Sequence, residues 1–227
     1  TVATRSLVSI SGSTTGDVYW RLRKGTDFVT TDAAFFETEN LAAVLELQPG
    51  DYVVETWLGS GTAADVSLLV QDAANATQAA AGADIVATAP GFFKVDLIAR
   101  QQYYLMPSDD TSWSVYRPDM SKYLDLTSYA NDQNGTPFAA PASGSWIFAS
   151  NSDAGTLQVR AVRPLAVDTL VHGVLPANAS GDVYSLTVPE SKQLVVNLSS
   201  LLANTTLTVY RGSQYVASAY ASAPGTL

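Results

Sequence analysis

The sequence contains no cysteine and a single histidine, His172. Without cysteine the chain has no disulfides, no thiolate metal ligands and no cysteine nucleophile. The same count nearly excludes a zinc site built on histidines. A Ser-His-Asp triad would have to use His172, and the chain contains no Gly-x-Ser-x-Gly segment to accompany it. We therefore interpret His172 as an exposed or capping residue.

The sequence also shows no pair of carboxylates placed to hydrolyse a glycoside. Such chemistry needs two Asp or Glu side chains that face each other across a cleft. Asp109 and Asp110 are adjacent in a predicted turn, and Glu37 and Glu39 lie in a predicted loop. No periodicity places a facing pair, so the sequence predicts a protein that is not an enzyme.

Basic side chains are scarce: the chain has 12 Lys and Arg against 21 Asp and Glu, a net charge of -9. Nucleic acids and anionic membrane surfaces bind basic stripes, so neither is expected as a partner. No apolar run approaches the length of about 18 residues that a membrane span needs, and no membrane insertion is expected. Hydrophobic residues, at 47%, are still numerous enough for substantial cores.

Acidic, lysine-poor chains rich in Ser and Thr are common among secreted and cell-surface β-proteins, which is the location we expect. Five of the eight asparagines stand in Asn-x-Ser/Thr, the acceptor pattern for N-linked glycosylation. These candidate glycosylation sites are Asn75, Asn134, Asn178, Asn197 and Asn204. Because a Ser/Thr-rich chain also produces such patterns by chance, both interpretations stay open.

A faint internal repeat has a period of about 94 residues. Trp113–Arg117 aligns with Leu207–Arg211, and Gly50–Val54 aligns with Gly144–Phe148, both at an offset of 94. The other alignments, at slightly shorter offsets, are Trp20–Lys24 with Trp113–Arg117, Val66–Val70 with Gly155–Val159, and Gly91–Val95 with Asp182–Leu186. Several segments that agree on a near-constant offset favour tandem units.

Short alternating runs between Gly and Pro turns predict antiparallel strands, and no long segment has a helical period. The predicted fold class is therefore all-β: tandem antiparallel β-sandwich units of about 90 residues, jelly-roll or Ig-like, with incomplete terminal units. The predicted divisions are a first unit at 1–72, an Ala-rich linker at 73–90, a second unit at 91–163 and a third at 164–227.

The terminal units are predicted to lack strands. The first lacks most of its opening strand, and the third ends before the Gly-aromatic hairpin that the repeat places near position 238 (144 plus 94). A sandwich without that hairpin leaves an apolar face and edge open to water. Either the chain is an excerpt of a longer array, or another chain supplies strands, with residues 1–10 as the expected donor to the third unit.

Gly181–Pro189, followed by Leu194–Leu198 and Leu207–Tyr210, resembles the bacterial and archaeal pre-peptidase C-terminal domain. Pro49–Val54 and Asp65–Val70 are similar to the Gly-x-Tyr and Tyr-x-Leu-x-Val strands of that family's closing hairpin. The resemblance implies a secreted, non-catalytic β-sandwich module. Such modules are usually accessories to exported enzymes or repeats of surface proteins.

Calcium is the one metal that the sequence leaves open, because calcium takes oxygen ligands from loops. The candidate ligands are Asp109, Asp110, Asp119 and Asp132. None stands in the Asp-x-Asn/Asp-x-Asn/Asp-Gly pattern, so no cofactor is predicted. The alternative interpretation is that these carboxylates are solvated charges on the surface.

Aromatic side chains on a sheet surface are candidates for stacking on sugars. Trp57 shares strand parity with Glu55 and is expected to face solvent, whereas the other tryptophans align with core positions of the repeat. The predicted core tryptophans are Trp20, Trp113 and Trp146. The candidate carbohydrate-binding residues are Trp57, Tyr103, Tyr116 and Tyr123, with ordinary packing or a subunit interface as the alternative.

Two hypotheses for function follow. The first is a non-enzymatic secreted or cell-surface protein, structural or adhesive, that serves as a spacer or as a self-assembling fibre subunit. Its copies would associate head to tail by β-strand complementation. The second is a carbohydrate- or substrate-binding accessory region of a secreted hydrolase or adhesin, with glycans as the partners.

Overall fold

The computed structural model describes residues 1–15, 17–29, 34–36, 42–59, 61, 65–80, 82–108, 110–127, 135–151, 154–172, 181–188, 195–196, 198–200, 205–211 and 214–226. Across these ranges the chain is nearly all β, with several antiparallel sheets, and the predicted all-β fold class is confirmed. No helix in these ranges is long and apolar enough to cross a membrane.

The strands in the first half of the chain are β1 (Ser6–Thr14), β2 (Val18–Lys24), β3 (Asp27–Phe28), β4 (Ala34–Phe36), β5 (Ala42–Leu47), β6 (Val53–Leu58), β7 (Val66–Asp72), β8 (Thr77–Gln78), β9 (Asp84–Ala87), β10 (Gly91–Leu97) and β11 (Gln102–Pro107). Those in the second half are β12 (Ser112–Tyr116), β13 (Lys122–Thr127), β14 (Thr136–Ala139), β15 (Gly144–Ser150), β16 (Gly155–Leu165), β17 (Val183–Leu186), β18 (Ser199–Ser200), β19 (Thr205–Arg211), β20 (Gln214–Ala221) and β21 (Gly225–Thr226).

The first sandwich packs two antiparallel sheets face to face. In one sheet β1 lies between β5 and β7, and in the other β2 pairs with β6 along one edge and with β3 and β4 along the other. Alternation along β2 explains its position, because Val18, Trp20 and Leu22 are buried between the sheets. The residues that complete this core are Val8, Ile10 and Leu47.

The second sandwich has larger sheets and a larger core. One sheet has the order β13-β12-β15-β10-β8, and the other has β14-β11-β16, with β9 also paired to β16. Trp113, Trp146 and Phe148 are fully buried between the two sheets. Phe148 lies opposite both Phe93 and Val115 in the ladders, so aromatic and branched side chains fill the centre.

The segment 73–90, predicted as a linker, is instead built into the second sandwich. It begins with a 3-10 turn at Ala73–Asn75, and it then supplies β8 and β9. Ile85 and Ala87 of β9 are buried in the core of that sandwich. Alanine-rich composition concealed these strands because small side chains give a weak alternation of hydrophobicity.

Residues 1–10, predicted as a strand donor to another chain, are used within their own sandwich. Ser6–Ile10 belongs to β1, which pairs with β5 and β7, and Leu7, Val8 and Ile10 are buried. Withdrawing this segment would open the first sandwich, so its pairing within its own chain argues against this prediction.

The described part of the C-terminal region contains a parallel pairing of β17 with the end of β16, an antiparallel hairpin of β19 and β20, and a short β18–β21 pair. The rings of Tyr104 on β11 and Tyr210 on β19 lie 5.8 Å apart and bring the hairpin against the second sandwich. Every side chain of β20 from Gln214 to Tyr220 is exposed.

Replacing Trp146 by alanine should destabilise the second sandwich by about 3–5 kcal/mol, because a large buried ring leaves a cavity. Its indole N–H donates to the carbonyl of Ala142 at 3.0 Å, and its ring meets Phe138 edge-on at 5.1 Å. Urea unfolding measures the loss. The matched control is Trp57→Ala on the surface, for which we expect about 1 kcal/mol or less. Equal losses in both variants would contradict the assignment of the core.

Candidate functional site

The tyrosines predicted for a carbohydrate-binding patch do not lie together on the surface. Tyr103 and Tyr116 are buried, and the hydroxyl of Tyr103 accepts a hydrogen bond from the backbone N–H of Ile98 at 2.8 Å. Tyr123 is half-buried, and its ring packs edge-on against Trp146 at 5.4 Å. Their faces are occupied by protein, so the interpretation of these three residues as sugar-stacking groups is corrected to packing within the protein.

Trp57 is placed as its strand parity predicts. It pairs with Tyr19 across the β2–β6 ladder on the outer face of the first sandwich, and 38% of its surface is exposed. The two rings stack with centroids 5.9 Å apart and planes inclined by 17°. Gly59 makes this possible, because a Cβ there would lie 2.4 Å from the ring of Tyr19.

Arginines and an acid surround this aromatic pair. The guanidinium of Arg21 lies 4.7 Å from the ring centre of Phe28 and 5.1 Å from that of Trp57. Arg21 and Arg23 both donate to the carboxylate of Glu55, and hydrogen bonds from Arg21 and then Arg23 lower the pKa of Glu55 below its usual value. We call Tyr19, Arg21, Arg23, Phe28, Val53, Glu55 and Trp57 the aromatic-arginine face.

Sequence reasoning found Trp57 and missed the rest of this face. The signal was present in β2, where Tyr19, Arg21 and Arg23 alternate with the buried Val18, Trp20 and Leu22. Residues at every second position of a strand share a face, so the outward row was readable from the sequence. Phe28 could not be placed in the same way, since its pairing depends on the turn after β2.

Of the four calcium candidates, the structure describes Asp110 and Asp119. No group of three carboxylate or histidine side chains that could hold a metal ion occurs within the described ranges. The carboxylate of Asp119 accepts hydrogen bonds from the hydroxyl and the backbone N–H of Ser121, at 2.6 and 2.9 Å, and these lower the pKa of Asp119. Asp110 lies in a turn with a positive φ of 55°. Asp109 and Asp132 lie outside the described residues.

Of the predicted glycosylation sites, the structure describes one. Asn75 is exposed and lines a cavity of about 220 Å³ between β7 and β10, together with Gln71 and Phe92. His172 is also exposed, in a segment without regular structure. The remaining candidate glycosylation sites, which lie outside the described residues, are Asn134, Asn178, Asn197 and Asn204.

The inner face of β7 is open. Val70 lies opposite the buried Ile10 in the ladder with β1, so both side chains point toward the interior of the first sandwich. Yet Val70 is 58% exposed, and Leu68, two positions away on the same face, is 42% exposed. An edge strand with apolar side chains on its open face is a site for pairing with another segment.

The first and second sandwiches share a cluster of buried residues. Leu7 on β1 and Ala73 after β7 pack against Tyr116, Ile147 and Ala149 of the sheet that contains β12 and β15. These latter side chains point away from the core of the second sandwich, because Val115, Trp146 and Phe148 point into it. The outer face of one sheet is therefore covered by the neighbouring sandwich.

A buried arginine connects β16 to the C-terminal region. The Nε of Arg160 donates to the carbonyl of Gly181 at 2.7 Å, its Nη1 donates to the carbonyl of Gly82 at 2.6 Å, and its Nη2 forms an ion pair with Asp84. Burial lowers the pKa of the Arg160 guanidinium from its ordinary value. The Arg160 side chain thus satisfies backbone carbonyls of two segments, one just before β9 and the other just before β17.

Compared with known proteins, the chain matches no family model and no curated protein. The resemblance to the pre-peptidase C-terminal domain therefore stays a prediction that rests on its motifs alone.

Replacing Arg160 by methionine should cost about 3–5 kcal/mol of stability, because the ion pair with Asp84 and the hydrogen bonds to two backbone carbonyls are lost at a buried position. Urea unfolding and limited proteolysis of the C-terminal region measure the effect. Arg163→Met is the matched control: Arg163 pairs with Asp182 at 2.9 Å but is half exposed, so its loss should cost about 1 kcal/mol or less. If both variants unfold alike, Arg160 does not have this role.

Acid should release Arg21 and Arg23 from Glu55. Because the pKa of Glu55 is lowered in the folded protein, the contribution of its carboxylate is complete above the ordinary value of 4.5 and is lost as the pH falls through the lower, folded value. We expect the fluorine NMR signal of fluorotryptophan at position 57 to shift with a midpoint below 4.5. In Glu55→Gln this shift should be absent, and a midpoint above 4.5 in the unsubstituted protein would refute the pairing.

Proposed function

We propose that the chain is a non-enzymatic structural protein of the cell exterior, built from tandem β-sandwich repeats that assemble head to tail by strand complementation. The observation that carries the proposal is the open inner face of β7, where Leu68 and Val70 are exposed opposite a buried strand. The exterior location rests on the acidic, lysine-poor composition.

The order of the strands supports the repeat. The sheet order β5-β1-β7 of the first sandwich has a counterpart in β14-β11-β16 of the second, and β3-β2-β6 has a counterpart in β13-β12-β15. In each case the counterparts occur in the same order along the chain. A second sandwich that repeats the topology of the first is what a tandem duplication produces.

An irregularity in the ladders supports the same repeat in the C-terminal region. The β12–β13 ladder shifts register between Val115 and Tyr116, and the β19–β20 ladder shifts register between Val209 and Tyr210. These positions correspond at the offset of 94 that the sequence alignment uses. Bulges have specific positions within a fold, so this coincidence favours a common origin for the two hairpins.

The repeat explains why the inner face of β7 is exposed. Leu68 and Val70 correspond to Leu157 and Val159, and Val159 lies opposite Leu105 as Val70 lies opposite Ile10. Leu157 and Val159 are only 0% and 3% exposed, because β9 pairs with β16 and Ile85 joins the same core. The first sandwich has no described strand in the corresponding place.

A second copy of the chain would supply the covering strand. Strand β20 fits this role, because Tyr215, Val216 and Tyr220 are exposed and β20 pairs with β19 alone among the described strands. Pairing of β20 with the open edge of β7 would satisfy backbone groups on both strands and bury apolar side chains. Because β7 and β20 belong to opposite ends of the chain, the contact is heterologous and propagates into a filament.

Sedimentation velocity and electron microscopy at increasing concentration test this function. We expect filaments, and we expect Val70→Lys to abolish them while leaving the monomer folded, because position 70 is exposed in the isolated chain. The matched control, Val159→Lys, places a charge in the closed core and should unfold the second sandwich. A particle of 24.0 kDa at every concentration would refute self-assembly.

A further inference from the structure

The outer sheet face of the second sandwich is a contact surface. Tyr116 on β12 and Ile147 and Ala149 on β15 point outward from that sandwich and are covered by Leu7 and Ala73 of the first. Arg5 extends the same contact, because its Nη1 donates to the carbonyl of Asp119 at 3.2 Å. The outer side of β1 therefore lies on the outer side of the β12–β15 pair.

The second sandwich contacts the C-terminal region through equivalent positions. Tyr104 lies on the outer side of β11, because its neighbours Tyr103 and Leu105 point into the core. Its ring contacts Tyr210 of β19, and Tyr210 corresponds to Tyr116 at the offset of 94. The same relation between neighbouring units thus occurs twice along the chain.

The corresponding surface of the first sandwich is the aromatic-arginine face. In the alignment of the repeats Arg23 corresponds to Tyr116, and Val53 corresponds to Ile147. Tyr116 and Ile147 are covered by the preceding sandwich, whereas Val53 is 57% exposed. The first sandwich therefore presents, uncovered, the surface by which the other units are held.

We propose that the aromatic-arginine face binds the C-terminal region of a second copy, in the arrangement that already joins the first sandwich to the second. This inference rests on the proposed repeat and identifies a second surface, separate from β7, at the junction between copies. The side of the partner that carries Val195 fits the arrangement, because Val195 is exposed and corresponds to Tyr104 at the offset of 91 that aligns Gly91 with Asp182. Continuity with the internal junction selects a second copy over other occupants.

The chemistry of the face suits a contact between proteins. Trp, Tyr and Arg dominate the binding energy of protein interfaces, and all three occur here side by side. Arg21 is already held between Phe28 and Trp57 and paired with Glu55, so little side-chain freedom is lost on binding.

Single cysteines test the face directly, because the chain has none of its own. Val53→Cys reports on the aromatic-arginine face, Val70→Cys reports on the open face of β7, and Ile98→Cys reports on an exposed position outside both. Maleimide labelling is followed at low and high protein concentration. At Val53→Cys we expect a rate about tenfold lower where most chains are assembled, since only the free fraction reacts, and no change at Ile98→Cys.

The outcomes separate this inference from the proposed function. Protection of both Val53→Cys and Val70→Cys supports both contacts. Protection of Val70→Cys alone overturns the aromatic-arginine contact and leaves strand complementation standing. Protection of Val53→Cys alone overturns strand complementation and leaves the aromatic-arginine contact standing. Both contacts are overturned if the chain stays monomeric and the labelling rate at each of the three positions is the same at low and high concentration.

A mixing experiment tests the polarity of the contact. Trp57→Ala should lose assembly by its first sandwich, and Val195→Lys should lose assembly by its C-terminal region. Each variant alone should stay monomeric. An equimolar mixture should form dimers, because the intact C-terminal region of Trp57→Ala can bind the intact first sandwich of Val195→Lys. These dimers cannot grow, since both of their outer surfaces are defective. Filaments formed by Trp57→Ala alone would overturn the inference. So would a monomer that binds polysaccharide through Trp57, which would make the face a glycan site.

Discussion

The fold depends on a sheet that is buried on both faces. The sheet with β10, β12 and β15 packs its inner side chains against β11 and β16, and its outer ones lie under the first sandwich. Along β15 every residue from Trp146 to Ser150 is buried, without the alternation that a half-exposed strand has. The two sandwiches therefore share buried surface, and loss of either would expose apolar side chains of the other.

This double burial explains which parts of the fold are readable from the sequence. Strand β2 alternates strictly, so its inward tryptophan and the outward parity of Trp57 on β6 were both predictable. Tyr103 and Tyr116 were misjudged for two different reasons. Tyr103 lies in the core between sheets, whereas Tyr116 points outward and is buried by the neighbouring sandwich, a contact that no local pattern encodes.

The first and second sandwiches show how one strand order gives different surfaces. Both place a tryptophan at the centre of the core, Trp20 in one and Trp113 in the other. They differ where the chain of the second sandwich adds β8, β9 and β10, which close its core and lengthen its sheet. Topology, then, determines the interior, while the neighbours of each sheet determine which faces remain available for binding.

The long strand β16 has a mechanical consequence. Its first part pairs with β9 and β11 inside the second sandwich, and its end, Val162–Leu165, runs parallel to Val183–Leu186. Tension along the chain would pull these parallel strands past each other, so their hydrogen bonds carry the load together rather than opening one at a time. A stretched chain would therefore load the hydrogen bonds of this parallel pair in shear, and the pair would resist separation.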